Sequence, residues 1–414
     1  MSGSRLDPET SAIARAALDR APDAASGPVL IAGGGIGGLA TALALARRGI
    51  ASHVLERRSD FTEEGAGIQI GPNGTRILEE LGVAEALRPN VGVPQALVVR
   101  DGASGAQLAE LPLGDWIAAR HGSPYWVAHR RDLHAALLRA ADAMPHITLT
   151  AGFDVSGVAN DAARVAVAAT NGEAVAGRAL IAADGLWSPL RSALFDSPHP
   201  RFCGKSAARS VIPLDAAPKE LQRNATMNWL LPDAHVVHYP ISGGRELAVI
   251  VVLEDQQDGT DWSAPVSPLQ IQQSLTRCAA PLRALIQAAT AWRRWALHAL
   301  PVPDTWTRGP IALLGDAAHP MLPFFAQGAV MALEDAVVVA DALAAQGSDT
   351  ASALAAYQRA RRARVRQVVE ASRRNGRIYH LAGAGAMARN LMLRHVPPAR
   401  LMARYDWLYG WRRA

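Results

Sequence analysis

Residues Val29 to Glu56 (VLIAGGGIGGLATALALARRGIASHVLE) constrain the fold more than any other stretch. The apolar run Val29 to Ala32 reads as a buried strand, a glycine cluster turns the chain, and the almost wholly apolar Ile36 to Ala46 reads as a buried helix. Gly33, Gly35 and Gly38 fall on G-x-G-x-x-G. The first glycine allows the tight turn, the second lets backbone approach a pyrophosphate, and the third lets helix and strand pack closely. Phosphates would then sit on the helix N-terminus, where unpaired N–H groups and the dipole favour anions. A second strand, Ser52 to Leu55, ends in Glu56, placed to accept hydrogen bonds from a ribose. Strand, helix and acid in this order predict a dinucleotide-binding unit. They leave FAD and NAD(P) equally open.

The chain has 414 residues, 50% of them hydrophobic, enough for one large or two intergrown domains with a sizeable core. Cys203 and Cys278 show no CxxC or Cys/His spacing, which argues against a disulfide framework and a structural zinc site and fits a cytoplasmic location. No apolar run approaches the length of a membrane span, and residues 1 to 27 read as a flexible N-terminal tail without the apolar centre of a signal peptide. The net charge is +5, and lysines occur only at 205 and 219. Arginines crowd Arg359 to Arg377 on what reads as a long helix, with Val365, Val368 and Val369 on its packed side. A solvated or subunit-facing helix explains them better than a nucleic-acid footprint.

Strand, loop and helix patterns divide the chain. Residues 28–200 read as the first part of the nucleotide-binding domain, with a strand excursion near 91–125. Residues 201–300 turn β-rich (MNWLL, HVVHYPI, RELAVIVVL) and read as an inserted substrate-binding sheet. Residues 301–345 return to the nucleotide-binding domain, and 346–414 read as C-terminal helices. The expected class is therefore α/β, with a discontinuous Rossmann-like domain, an inserted β-sheet domain and a helical C-terminal segment. Within it, three strands end in acids beside glycine or a helix start: Glu56, Asp184 and Asp316.

On four motifs the sequence resembles the FAD-dependent aromatic hydroxylases, the single-component flavoprotein monooxygenases. The first is the extended fingerprint Gly33, Gly35, Gly38, Leu39, Ala42, Leu45, Gly49 and Glu56. The second is Ala183-Asp184-Gly185 with Ser188 and Arg191. The third is Gly315-Asp316-Ala317-Ala318-His319-Pro320, continuing to Pro323, Gln327, Gly328, Glu334 and Asp335, and the fourth is His129-Arg130 with Asp132-Leu133. The resemblance spans roughly residues 28–395. It implies bound FAD, with Glu56 on the adenosine ribose beside Arg57, Arg130 near the pyrophosphate, Asp184 and Asp316 on the cofactor, and backbone at Gly328 and Ala329 facing the flavin ring. Ala182, Ala326 and Val330 stand where the family usually has Gly, Gly and Asn. The Ala-Gln-Gly-Ala run at 326–329 is similar to the 3-hydroxybenzoate 6-hydroxylase and salicylate hydroxylase branch.

That branch implies a substrate site made of His235, Tyr239, Gln327 and Tyr125. On a strand, His235 and Tyr239 share a face while His238 points the other way. The resemblance further implies that NADH or NADPH visits transiently, with NADH expected from the branch. Reduced flavin and O2 then form a C4a-hydroperoxide that attacks an electron-rich ring carbon. His235 is the expected base for the phenol proton, since an unperturbed imidazole titrates near pH ~6.5, and Gln327 and Tyr239 act beside it. His319 is expected in the flavin-side loop and not on a metal, because no second ligand is suitably spaced. A small aromatic acid and O2 are the expected partners, in a homodimer with no nucleic acid and no integral membrane association. A hydroxypyridine carboxylate suits the same groups, and a non-catalytic flavin-containing binding protein is the remote alternative.

Overall fold

The computed structural model describes residues 6–21, 27–63, 65–259, 261 and 263–413. A six-stranded sheet runs Thr307–Arg308, Ile311–Leu313, Ala179–Ala182, Val29–Ala32, Ser52–Glu56, Ile147–Ala151, parallel except for the first pair. Its central strands are buried on both faces, which is why they read as unbroken apolar runs. The helix Ile36–Ala46 follows the first strand directly, with Leu39, Leu43 and Leu45 fully buried. Because the strands are parallel, Gly33, Glu56, Asp184 and Asp316 gather at their carboxyl ends, where open α/β sheets bind ligands.

A second sheet has eight strands, ordered Ala264–Val266, Trp292–Ala299, Arg201–Pro213, Glu246–Glu254, Ala234–Ile241, Ala225–Leu231, Ala96–Asp101 and Gln107–Pro112. It is antiparallel apart from the Ala225–Leu231/Ala96–Asp101 pair. Alternation sorts its faces. Met227, Trp229, Val236, Val249 and Val251 pack with Leu282, Leu285 and Ile286 of the helix Ala280–Ala288. His235, Val237, Tyr239, Ile250 and Val252 turn the other way, toward a cavity shared with the first sheet. The strands near 91–125 thus belong to this sheet, paired through Ala225–Leu231, although in sequence they interrupt the nucleotide-binding part.

Part of the expected flexible N-terminal tail is ordered. Pro8–Arg20 is a helix whose first turn is capped by Asp7, which accepts from the Glu9 and Thr10 amides. Ala14 and Leu18 are fully buried against Ala159, Ala166 and Ala168 of a separate three-stranded sheet. Residues 1–5 and 22–26 of that tail lie outside the described residues. At the other end, the 30-residue helix Thr350–Tyr379 packs against Gly328–Ala345, and shorter helices at Gly383–His395, Pro398–Ala403 and Asp406–Tyr409 follow. Among the described residues no helix is long and apolar enough to cross a membrane.

Candidate active site

A cavity of about 530 Å³ runs from the glycine turn to the inner face of the eight-stranded sheet. Gly33, Gly35, Glu56, Arg57, Arg130, Asp184, Asp316, Gly328 and Ala329 line its first part, and His235, Tyr239 and Gln327 line its second. Gly38 stands behind the wall. A Cβ there would lie 1.9 Å from the Gly33 carbonyl oxygen, so this glycine serves helix–strand packing. Gly33 has a φ of +110°, which only glycine adopts without strain. Gly35 differs from both: a Cβ there meets nothing within 4 Å, leaving the helix N-terminus open to the cavity.

Glu56 and Arg191 hold the loops in register. Glu56 accepts from the Gly34 amide at 2.7 Å and the Arg58 amide at 2.9 Å. Arg191 is fully buried and ties two motif loops together, donating to Leu186 O at 2.6 Å and to Ala317 O at 3.0 Å. Burial pushes the Asp184 carboxyl up to about 6, with Ser188 tempering the shift. Neither Asp184 oxygen has a hydrogen-bond partner of good geometry among the described residues. Asp316 is likewise raised by burial, opposed by the charges of Arg130 and His319, although it faces the open cavity. Arg130 is ion-paired with Glu63. An open helix N-terminus, an acid ending the second strand, an unpartnered Asp184 carboxyl, and Asp316 and Arg130 on one wall suit a dinucleotide with a pyrophosphate and polar side chains, so these residues fit FAD.

Two departures from the family pattern flank the start of the Gly328–Ala345 helix. Ala326 has φ +50° and ψ +38°, the left-handed conformation that glycine takes freely and alanine takes at a cost of about 1–2 kcal/mol. Val330 is fully buried, and its methyl groups lie 3.0 and 3.1 Å from where a Cβ on Gly74 would stand. Behind the helix, Glu334 and Asp335 are fully buried and held by two arginines of the Arg359–Arg377 run. Arg361 donates to Asp335 at 2.7 Å and to Glu334 at 2.8 Å, while Arg364 donates to Glu334 at 2.9 Å. That run is therefore not wholly a solvated face, since Arg361 and Arg364 serve the interior. Burial alone would raise the Asp335 carboxyl, but the charges of His319 and Arg361 lower it to about 2. His319 Nε2 lies 2.6 Å from Asp335 Oδ2, and among the described residues no group of three or more His, Cys, Asp or Glu could hold a metal.

At the end of the cavity beneath the eight-stranded sheet, His235, Val237 and Tyr239 face the cavity while His238 stacks on Trp229 on the other face. Tyr125 is not on the wall. Its hydroxyl donates to Gln69 Oε1 at 2.6 Å, so it reaches the cavity only through Gln69, which lines it. Gly67 is needed beneath Tyr239, whose ring would lie 2.5 Å from a Cβ. His235 corrects the expectation of an ordinary imidazole. Burial first, then His380 and Lys205, holds its pKa well below 6.5, so it is neutral at neutral pH. Its Nδ1 lies 2.8 Å from His380 Nε2, leaving Nε2 for a ligand. His380 and Gln69 were not singled out by sequence. Gln69 lies on the short strand Gly67–Ile70, and nothing local marks His380.

Comparisons with known proteins agree with this geometry. A family model described as an FAD binding domain matches residues 26–372. The chain is 38% identical over 385 residues to the 3-hydroxybenzoate 6-hydroxylase of Polaromonas naphthalenivorans (strain CJ2), covering 93% of this chain and 96% of that protein. It is 33% identical to the 6-hydroxynicotinate 3-monooxygenase of Bordetella bronchiseptica (strain ATCC BAA-588 / NCTC 13252 / RB50), covering 84% and 91%. A salicylate hydroxylase substrate complex superposes with a TM-score of 0.80 at 25% identity, covering 94% and 97%. The expected fold class is thus the observed one, and the chain belongs to the FAD-binding family of flavoprotein hydroxylases, alongside the 3-hydroxybenzoate 6-hydroxylases.

Proposed function

We propose that the protein hydroxylates the ring of a small phenolic aromatic acid, 3-hydroxybenzoate or a relative such as salicylate, consuming NAD(P)H and O2 and releasing water. The observation that carries this reading is the single cavity whose walls join the dinucleotide fingerprint to His235, Tyr239 and Gln327. FAD, when bound, supplies the electron transfer from nicotinamide and the activation of oxygen. The chain's own groups bind the acid, exclude water and hold a proton.

His235 is the base of this reading. To take a phenol proton on Nε2 it must carry its own hydrogen on Nδ1 and donate it to His380 Nε2. His380 can accept because burial and Lys205 lower its pKa to about 4, keeping it neutral. An ionised phenol enriches the ring carbon that accepts oxygen. Tyr239, whose hydroxyl burial holds well above its usual range, stays a neutral partner for the substrate. NADH as donor, a homodimer and a cytoplasmic location complete the reading. A hydroxypyridine carboxylate is the second reading, favoured by the identity to the 6-hydroxynicotinate enzyme.

The test is His235→Ala. The variant should keep FAD and hydroxylate roughly 10²–10⁴-fold more slowly, wasting reduced cofactor as hydrogen peroxide. An unchanged hydroxylation rate removes His235 from the role. Benzoate, lacking the hydroxyl, should bind far more weakly than 3-hydroxybenzoate, because it leaves buried polar groups unpaired.

A further inference from the structure

An amide beside a ligand can present a donor or an acceptor, and the choice decides which ligands it tolerates. Gln327 lines the cavity as the residue before the Gly328–Ala345 helix and is buried. Its Oε1 accepts from Asn73 Nδ2 at 3.1 Å, and the same nitrogen donates to Glu334 Oε1 at 2.8 Å. Asn73 is itself buried, on the helix Pro72–Glu80.

The polarity of this chain is set at its far end. Glu334 Oε2 accepts from Arg361 Nη1 at 2.8 Å and Arg364 Nε at 3.2 Å, and its Oε1 accepts from Arg364 Nη2 at 2.9 Å. Two guanidinium groups donate to that carboxylate, and a carboxylate paired in this way only accepts. Asn73 must therefore turn its NH2 toward Glu334, since the flipped amide would set oxygen against oxygen. One hydrogen of that NH2 goes to Glu334 and the other to Gln327 Oε1. The Gln327 carbonyl is thereby used, and its NH2 is the end that remains for the cavity.

We infer that Asn73 is a positioning residue that fixes Gln327 as an obligate hydrogen-bond donor to the substrate's ring oxygen, so that the site selects hydroxyl over amino substituents. The inference rests on the proposed function in one respect, that a substituted benzoate occupies this wall. It also gives a use to the buried arginines, which propagate their charge through Glu334 and Asn73 to a single amide. A phenol or phenolate oxygen accepts from such a donor. An aromatic amine, whose lone pair is delocalised into the ring, accepts poorly and presents its own hydrogens against the amide's.

The experiment titrates FAD-loaded protein with 3-hydroxybenzoate and 3-aminobenzoate and follows the flavin absorbance. The wild type should prefer the hydroxy compound by roughly tenfold or more. In Asn73→Leu, Gln327 is free to turn over, and the preference should fall to roughly threefold or less with FAD affinity unchanged. Gln327→Glu, which puts an acceptor at the wall and retains the Asn73 contact, should reverse the preference, and this variant decides the matter if Asn73→Leu does not fold. A preference that survives in Asn73→Leu, or hydroxyl selectivity in Gln327→Glu, overturns the inference. A wild type that binds both compounds equally overturns it while leaving the substrate class standing, whereas one that binds neither overturns both.

Discussion

Alanine at Gly35 and alanine at Gly38 should separate cofactor binding from folding within one turn of chain. At Gly38 the new Cβ would sit 1.9 Å from Gly33 O and 3.1 Å from Gly33 C. The obstacle is backbone, and Gly33 is already held at φ +110°, so the strand-to-helix turn must shift by more than 1 Å to relieve it. Overpacking of this kind costs about 1–3 kcal/mol, and a backbone obstacle places it at the upper end. At Gly35 the backbone (φ −76°, ψ −174°) suits alanine, and the Cβ meets nothing within 4 Å. The loss there is that of a helix N-cap glycine, about 1 kcal/mol or less. Yet this Cβ would stand where a pyrophosphate must approach the helix N-terminus. Thermal unfolding of cofactor-free protein should therefore show Gly38→Ala several degrees below wild type and Gly35→Ala close to it. FAD titration by quenching of flavin fluorescence should show Gly35→Ala weakened by roughly 10–100-fold, the equivalent of about 1.4–2.7 kcal/mol. Wild-type FAD affinity in Gly35→Ala, or an unchanged unfolding temperature in Gly38→Ala, would refute the division of labour.

Three further outcomes concern the ionisable side chains. Burial pushes the Asp184 carboxyl up from 3.8 to about 6, so the native state holds its proton more tightly, and stability falls as the pH rises from about 4 to about 6. Asp184→Asn should accordingly stabilise the cofactor-free protein by about 2–3 kcal/mol at pH 7–8. The gain should shrink as the pH falls through 6 and vanish near 4; a gain independent of pH contradicts it. Arg361→Met removes the group that neutralises both Glu334 and Asp335, which should cost about 3–5 kcal/mol in chemical denaturation; a loss below about 1 kcal/mol would show that Arg364 and His319 suffice. His380→Phe removes the acceptor for His235 Nδ1 and should slow hydroxylation at least about tenfold with FAD affinity unchanged, as measured by product formation under saturating substrate. An unaltered rate would mean that His235 needs no partner.

Legibility in the sequence followed the range of the interaction. Val29–Ala32 and Ile36–Ala46 have the bounds their composition predicts, because buried strand and buried helix are written in consecutive residues. Period-two alternation likewise separated His235 and Tyr239 from His238. Asn73 and His380 were invisible for the opposite reason. They meet Gln327 and His235 across 254 and 145 residues of chain. Arg361 and Arg364 were hidden by their residue type, although a signal existed: they share the spacing of Val365 and Val368 on one helix face. The N-terminal helix also carried a readable start, Asp7 followed by Pro8, which overall polarity obscured.

The central claim is tested most directly by supplying the FAD-loaded protein with NADH, 3-hydroxybenzoate and isotopically labelled dioxygen, then following NADH oxidation and the mass of the aromatic product. The expected result is NADH oxidation that depends on the aromatic acid and yields one dihydroxybenzoate, carrying one labelled oxygen atom, for each NADH consumed. A rate that neither 3-hydroxybenzoate, salicylate nor a hydroxypyridine carboxylate stimulates, with FAD fully bound, would contradict it.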